Sequence, residues 1–178
     1  MRRWAWGLLP LAIVIALVAI FATRFGHDPR YIPSPLVNKP APKFSLPTLD
    51  APDRKIDNAT FHGHVVLLNV FASWCVACTD ESHSLDYLRR RGVKIYGLDF
   101  DDTRPAAKAW LQRWGNPYRE VAFDRNGEQA ANWGIWGVPE TFVIDQKGRV
   151  VHKFTGVITR KIANRKVLPL VRRLEQGK

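Results

Sequence analysis

The chain reads as an α/β layered domain whose central sheet is finished by an antiparallel hairpin. Three observations predict it. The β-branched apolar runs "VVLLNVF" (65–71) and "VKIYGLDF" (93–100) suit strands buried on both faces. Helix-patterned segments alternate with such runs, which calls for a sheet covered by helices. "TFVID" (141–145), "QKG" and "RVVHKFTG" (149–156) read as strand, turn and strand. This architecture alone does not fix a function.

At 178 residues and 46% hydrophobic, the chain suits one domain plus an appendage. The appendage comes first. "MRRWAWGLLPLAIVIALVAIFATR" carries two arginines, then no charge from Trp4 to Thr23. As a helix that run spans roughly 30 Å, the thickness of a bilayer core. Trp4 and Trp6 stand where an interfacial aromatic belt would lie, and membrane helices tolerate a proline such as Pro10. A cleaved signal peptide is the competing reading, but its apolar core would be shorter, and Ile20-Phe21-Ala22 is a poor cleavage site. The expectation is an uncleaved transmembrane anchor at 1–24. Arg2, Arg3 and the terminal amine favour a cytoplasmic N-terminus and a body beyond the membrane, with Arg24 and Arg30 blunting the asymmetry. Residues 24–42 hold five of the twelve prolines, and an extended linker is expected at 25–37, before a domain at 38–178.

Within the domain, Cys75 to Arg91 reads as a helix, with Leu85 and Leu88 as packing positions and Gly92 as its stop. "RPAAKAWLQRWG" (104–115) opens on Arg-Pro, closes on Gly and should turn Trp110, Leu111 and Trp114 inward. "EVAFD" (120–124) is a short strand, Asn126-Gly127 a turn and "EQAANWG" a short helix. Residues 158–176 form a closing helix that Pro169 kinks or breaks.

The formal charge is +11, and only three of the 27 basic side chains lie in the first 24 residues, so the folded part is basic too. Residues 153–178 hold eight Lys/Arg against one Glu. Outside the cytoplasm nucleic acid is an implausible partner. The stretch reads as a solvated helix face with a basic tail, with weak attraction to anionic lipid as the alternative.

The only two cysteines lie in "FASWCVACTDE" (71–81). A structural staple fits an oxidising compartment, but bridging residues three apart closes a very short loop and adds little stability. A structural zinc site needs four ligands. The histidines near the pair in sequence, His62 and His64 in "FHGH" and His83, read as turn and exposed helix residues, so no metal is expected. Thiol–disulfide chemistry is the third reading. A strand delivers Cys75 to the tip of the sheet, where a helix start favours negative charge. A thiolate there is the nucleophile, and Cys78, one turn further in, is placed to resolve a mixed disulfide. Glu81 lies three residues beyond Cys78 on the same face, where a carboxylate raises a thiol pKa and can relay its proton; a solvated helix residue is the alternative. Asp80 points toward the surface.

"FASWCVACTDE" after "VVLLNVF", followed by "GVPETFVID", resembles the thioredoxin-like proteins. "GLDFDD" (97–102), "AWLQRWGNPY" (109–118), "FDRNG" (123–127) and "GIWGVPETFVIDQKGRV" (134–150) narrow the resemblance to the TlpA/ResA-like branch, and within it to the DsbE/CcmG family. The resemblance covers residues 36 to 175 and the type of anchor. It implies a mixed central sheet flanked by helices. It implies a bacterial inner-membrane protein facing the periplasm that keeps the haem-binding cysteines of apocytochrome c reduced, directly or through a haem-maturation thiol protein. A CcdA/DsbD-type membrane protein would re-reduce it, with no cofactor. By position, Cys75 and Cys78 are the redox pair, Pro139 is a cis-proline that turns Val138 toward a substrate, Glu81 and Glu140 are active-site acids, and Trp74 and Trp136 flank the pair. Pro139 could equally be a strand-entry proline. Many relatives carry a proline between the cysteines, where this chain has Val76-Ala77, so a reduction potential does not transfer. Two other functions compete: a general periplasmic oxidant and a copper-binding assembly factor. The copper proteins carry a longer Cys-x-x-x-Cys spacing and a distal His.

Overall fold

In the computed structural model, the described residues are 10, 12–19 and 34–177. They belong to two compact units that divide after Ile32. In the first, residues 12–19 are helical, and Ile13, Val14, Ile15, Leu17 and Val18 are exposed. Among the described residues no helix is long and apolar enough to cross a membrane. Most of the expected anchor at 1–24, and residues 25–33 of the expected linker, lie outside the described residues.

The second unit is built on a six-stranded mixed sheet. Its strands are β1 (Lys39–Pro40), β4 (Val66–Phe71), β5 (Lys94–Phe100), β6 (Val121–Asp124), β7 (Glu140–Ile144) and β8 (Arg149–Thr155), in the order β1-β8-β7-β4-β5-β6. β4, β5 and β6 run parallel, and β7 pairs antiparallel with β4. The crossovers are α1 (Val76–Arg90) and α2 (Arg104–Trp114), and a short α3 (Glu128–Asn132) follows β6. A small hairpin of β2 (Ser45–Pro47) and β3 (Lys55–Asp57) packs beside β6, which Thr48 also joins by a bridge to Ala122.

Every residue of β4 is buried, as its unbroken apolar run requires. Successive side chains point to opposite faces. Leu67 and Phe71 join Leu85, Leu88, Trp110 and Val167 in one core, beneath the helices. Val66, Leu68 and Val70 join Phe44, Phe61, Trp133 and Phe142 in the other. α1 ends where expected: Gly92 takes a left-handed φ of 88°, and Gly92 N–H and Val93 N–H donate to the carbonyls of Arg89 and Leu88.

Two expectations change. Trp114 is 37% exposed rather than inward; it ends α2, where the chain already turns away at Gly115 and Arg113 stacks on the indole. The closing helix is not one α-helix. It runs as α4 (Arg160–Ile162), a π-helical turn (Ala163–Val167) and α5 (Leu168–Glu175). Pro169 thereby falls in the first turn of α5, where a missing N–H costs least.

Candidate active site

β4 ends at Phe71, and α1 begins four residues after Ala72 with Cys75 as its N-cap. Cys75 and Cys78 form a disulfide, and the Cys78 backbone N–H donates to Cys75 Sγ at 3.0 Å. Cys75 is 6% exposed and Cys78 1%, so Cys75 is the more open of the two. The Val138–Pro139 peptide is cis, as the resemblance implied, and Val138 packs against the core cluster that holds both cysteines. Around this point three large apolar side chains are exposed: Trp74 (55%), Val76 (80%) and Trp136 (87%). Trp74 is steered by its indole N–H, which donates to the Asp101 carbonyl at 2.9 Å, and by edge contact with Phe100.

Glu81 is fully buried on α1, one turn past Cys78, not solvated. Each carboxylate oxygen receives one neutral donor: Asn69 Nδ2 at 2.8 Å and the Ile158 backbone N–H at 3.0 Å. Burial pushes the Glu81 pKa up to about 7, against the pull of those two hydrogen bonds. The network continues inward. Asn69 Nδ2 also donates to Thr141 Oγ1, and the Tyr118 hydroxyl donates to Asn69 Oδ1 at 2.7 Å. Gly97, beside Asn69 in the sheet, makes room for this, since a Cβ there would press on the rings of Phe71 and Tyr118. Burial, then the charges of Glu81 and Asp99, raise the Tyr118 pKa well above its usual value, keeping the phenol a donor.

Glu140 lies on the other face. Its neighbour Thr141 points toward Glu81, so Glu140 points away, toward Lys153 Nζ at 2.9 Å. Both side chains are buried, and Lys153 also donates to the Gly134 carbonyl, holding the loop that carries Trp136. Burial raises the Glu140 pKa, and the Lys153 ammonium and the Trp136 N–H oppose the rise. Lys153 is therefore not part of a solvated basic face, because the acid beside it repays its burial. Asp80 and His83 are exposed, and His62 and His64 sit at a turn after a short 3₁₀ segment (Asn58–Phe61).

The sequence reading found both cysteines, Glu81 and Pro139, and passed over Asn69, Tyr118, Thr141 and Lys153. One signal was there for Asn69, a lone amide inside the apolar run "VVLLNVF". A buried polar side chain needs a partner.

This arrangement fits a redox-active disulfide with a buried, near-neutral acid behind it. The chain matches the Redoxin family over residues 36–168. A protein of Allochromatium vinosum named "Thiol:disulfide interchange protein DsbE" is 42% identical over 97% of this chain and 96% of its own length. The Escherichia coli K12 protein of that name is 36% identical over 92% and 91%. The chain belongs to the DsbE family of thiol:disulfide interchange proteins. Among solved structures, a secreted thiol-disulfide isomerase from Corynebacterium glutamicum superposes with a TM-score of 0.67 at 24% identity, covering 82% of this chain and 96% of that one. That likeness shows the thioredoxin-like fold. The chain is a protein thiol–disulfide oxidoreductase.

Proposed function

We propose that this DsbE-family chain is a reductant in cytochrome c maturation, anchored in the bacterial inner membrane with its domain in the periplasm. The substrate is the haem-binding cysteine pair of apocytochrome c or a haem-maturation thiol protein, and a CcdA/DsbD-type membrane protein restores the dithiol. The anchor rests on the uncharged run from Trp4 to Thr23 and on the exposed apolar side chains of residues 13–18. The cytochrome substrate and the membrane reductant rest on the resemblance set out above.

In this reading the Cys75 thiolate attacks one sulfur of a substrate disulfide. A Cys75–substrate disulfide forms, and the displaced substrate thiolate takes up a proton. Cys78 gives its proton to the Glu81 carboxylate and attacks Cys75 Sγ. The second substrate thiolate leaves and is protonated in turn. Two electrons pass to the substrate, one proton comes from Cys78 by way of Glu81 and the other from solvent, and Cys75–Cys78 becomes the disulfide. Trp74, Trp136 and Val138 with Pro139 form the docking face, and Glu140 braces the loop that carries Trp136.

The observation that carries the reducing direction is Glu81. A buried carboxyl behind the pair disfavours thiolate, whereas an oxidant gains its power by stabilising thiolate in the reduced form. The Cys78 N–H on Cys75 Sγ favours thiolate and supports the second reading, a general oxidant. The reduction potential separates the two, and a strongly oxidising value overturns the reductant. Cys75→Ser should abolish exchange and cytochrome c assembly, and Cys78→Ser should accumulate mixed disulfides whose captured proteins identify the substrate. Normal cytochrome c in the Cys75→Ser strain would refute the maturation role.

A further inference from the structure

The turn after β5 grips the two residues in front of Cys75. Asp102 Oδ2 accepts from the Ser73 backbone N–H at 2.6 Å, and Oδ1 accepts from the Ser73 hydroxyl at 2.9 Å and the Thr103 N–H at 2.6 Å. The Asp101 carbonyl accepts the Trp74 indole. Asp101 itself holds φ at 46°, a left-handed conformation that aspartate tolerates better than most residues. Ser73 and Trp74 are therefore held by consecutive residues of one turn.

Asp99 lies at the base of that turn and is completely buried. Among the described residues no donor reaches either of its carboxylate oxygens. Asp102, three residues further along the same turn, is the charged group that acts on it most strongly. The other charged and titratable groups around it do not pair with it. The Arg104 guanidinium at the start of α2 donates to the carbonyls of Thr48 and Leu49 and lies over the Phe123 ring. Asp124, at the end of β6, accepts the Ala130 N–H. The Tyr118 hydroxyl is spent on Asn69. Two carboxylates cannot hydrogen-bond to each other, but a carboxylic acid and a carboxylate can, and burying an unpaired charge is far costlier than keeping a proton.

We propose that Asp99 is a positioning residue: held protonated, it donates a hydrogen bond to the Asp102 carboxylate and through it fixes Ser73 and Trp74 in front of Cys75. The surroundings agree. Burial first, then the Asp102 charge and hydrogen bond, push the Asp99 pKa up to about 8; Arg104 pulls it down and Asp124 adds to the rise. Asp99 therefore keeps its proton at neutral pH and loses it under mildly alkaline conditions. Two carboxylates then face each other and the grip on Ser73 weakens.

The grip is independent of the chemistry; its effect on exchange rests on the reading of Cys75 as the attacking thiol. Hydrogen exchange at the Ser73 amide in the full chain tests the grip. Its protection factor, corrected for intrinsic exchange, should fall about tenfold from pH 7 to pH 9, in line with one group titrating near 8. Asp99→Asn keeps a donor at every pH, so its protection should stay flat. Identical profiles in the two proteins overturn the proposal, and this comparison does not depend on a disruptive variant folding. Alkylation of the reduced protein, mapped by mass, then tests the link. Wild type should show a break near pH 8 in Cys75 reactivity that Asp99→Asn lacks, and a break retained in that variant refutes the coupling. If Cys75 is not the thiol modified first, the assignment of the nucleophile fails while the exchange result still decides the grip.

Discussion

Glu81 and Glu140 are both buried acids at the same end of the sheet, on opposite faces, and their partners make them different groups. Glu81 meets two neutral donors, Asn69 and the Ile158 N–H. Among the described residues no cation pairs with it, and burial raises its pKa to about 7, where it can take a proton or give one. Glu140 meets the Lys153 ammonium, which compensates the charge at its source. Burial raises both; at Glu81 only neutral hydrogen bonds oppose the rise, whereas at Glu140 the Lys153 ammonium opposes it and ties the acid into a strut.

The largest effect should come from breaking the strut. Lys153→Met leaves Glu140 buried without its cation and should cost about 3–5 kcal/mol in urea unfolding. Adding Glu140→Gln should recover much of that loss, and a double variant no more stable than Lys153→Met would show that the charge is not the reason. Glu81→Gln comes next. It keeps the shape but cannot accept a proton, so release of the mixed disulfide by Cys78 should slow about 10²-fold at pH 7 in rapid-mixing kinetics. The same variant tests stability against pH. The Glu81 pKa is raised by folding, so its contribution is fully present below about 4.5 and is lost as pH rises toward about 7. Asp99 adds a similar decline up to about 8. The urea midpoint of wild type should therefore fall between pH 5 and 8, and Glu81→Gln should flatten the lower part of that fall.

Smaller changes sharpen the contrast. Tyr118→Phe removes the donor to Asn69 Oδ1 and leaves a buried acceptor unpaired, a loss of about 1–3 kcal/mol. If Asn69 then turns its amide, the Glu81 pKa should move as well, which carboxyl NMR would register. Trp136→Ala should leave stability within about 0.5 kcal/mol, since the side chain is exposed. It should weaken exchange with a protein substrate while leaving exchange with a small disulfide unchanged.

Much of the fold was legible because local pattern and global role agree. The apolar runs are strands, Gly92 stops α1, and Pro139 takes the cis form that the resemblance implied. Trp114 was misplaced because period counting cannot tell where a helix loses contact with the body. The closing helix was expected to kink or break at Pro169, but its irregularity is the π-helical turn at Ala163–Val167, and Pro169 lies within α5. At the site, the cysteine spacing and Glu81 are local features, one helical turn apart. The partners of the acids are not: Asn69 and Glu81 are 12 residues apart, Asn69 and Thr141 72, and Glu81 and Ile158 77.

The motifs carry the resemblance to a thiol-exchange family, and by itself the sequence determined the alternating strands and helices and the cysteine pair at a strand-to-helix junction. These depend on neighbours along the chain, which periodicity and spacing record. Only the tertiary structure decided which face each acid occupies, that Lys153 is a buried counter-ion, that Asp99 is buried without a donor, and that Asp102 holds Ser73. Protonation depends on burial and on the charges within a few ångströms, and those distances exist only once the sheet has brought its distant strands together.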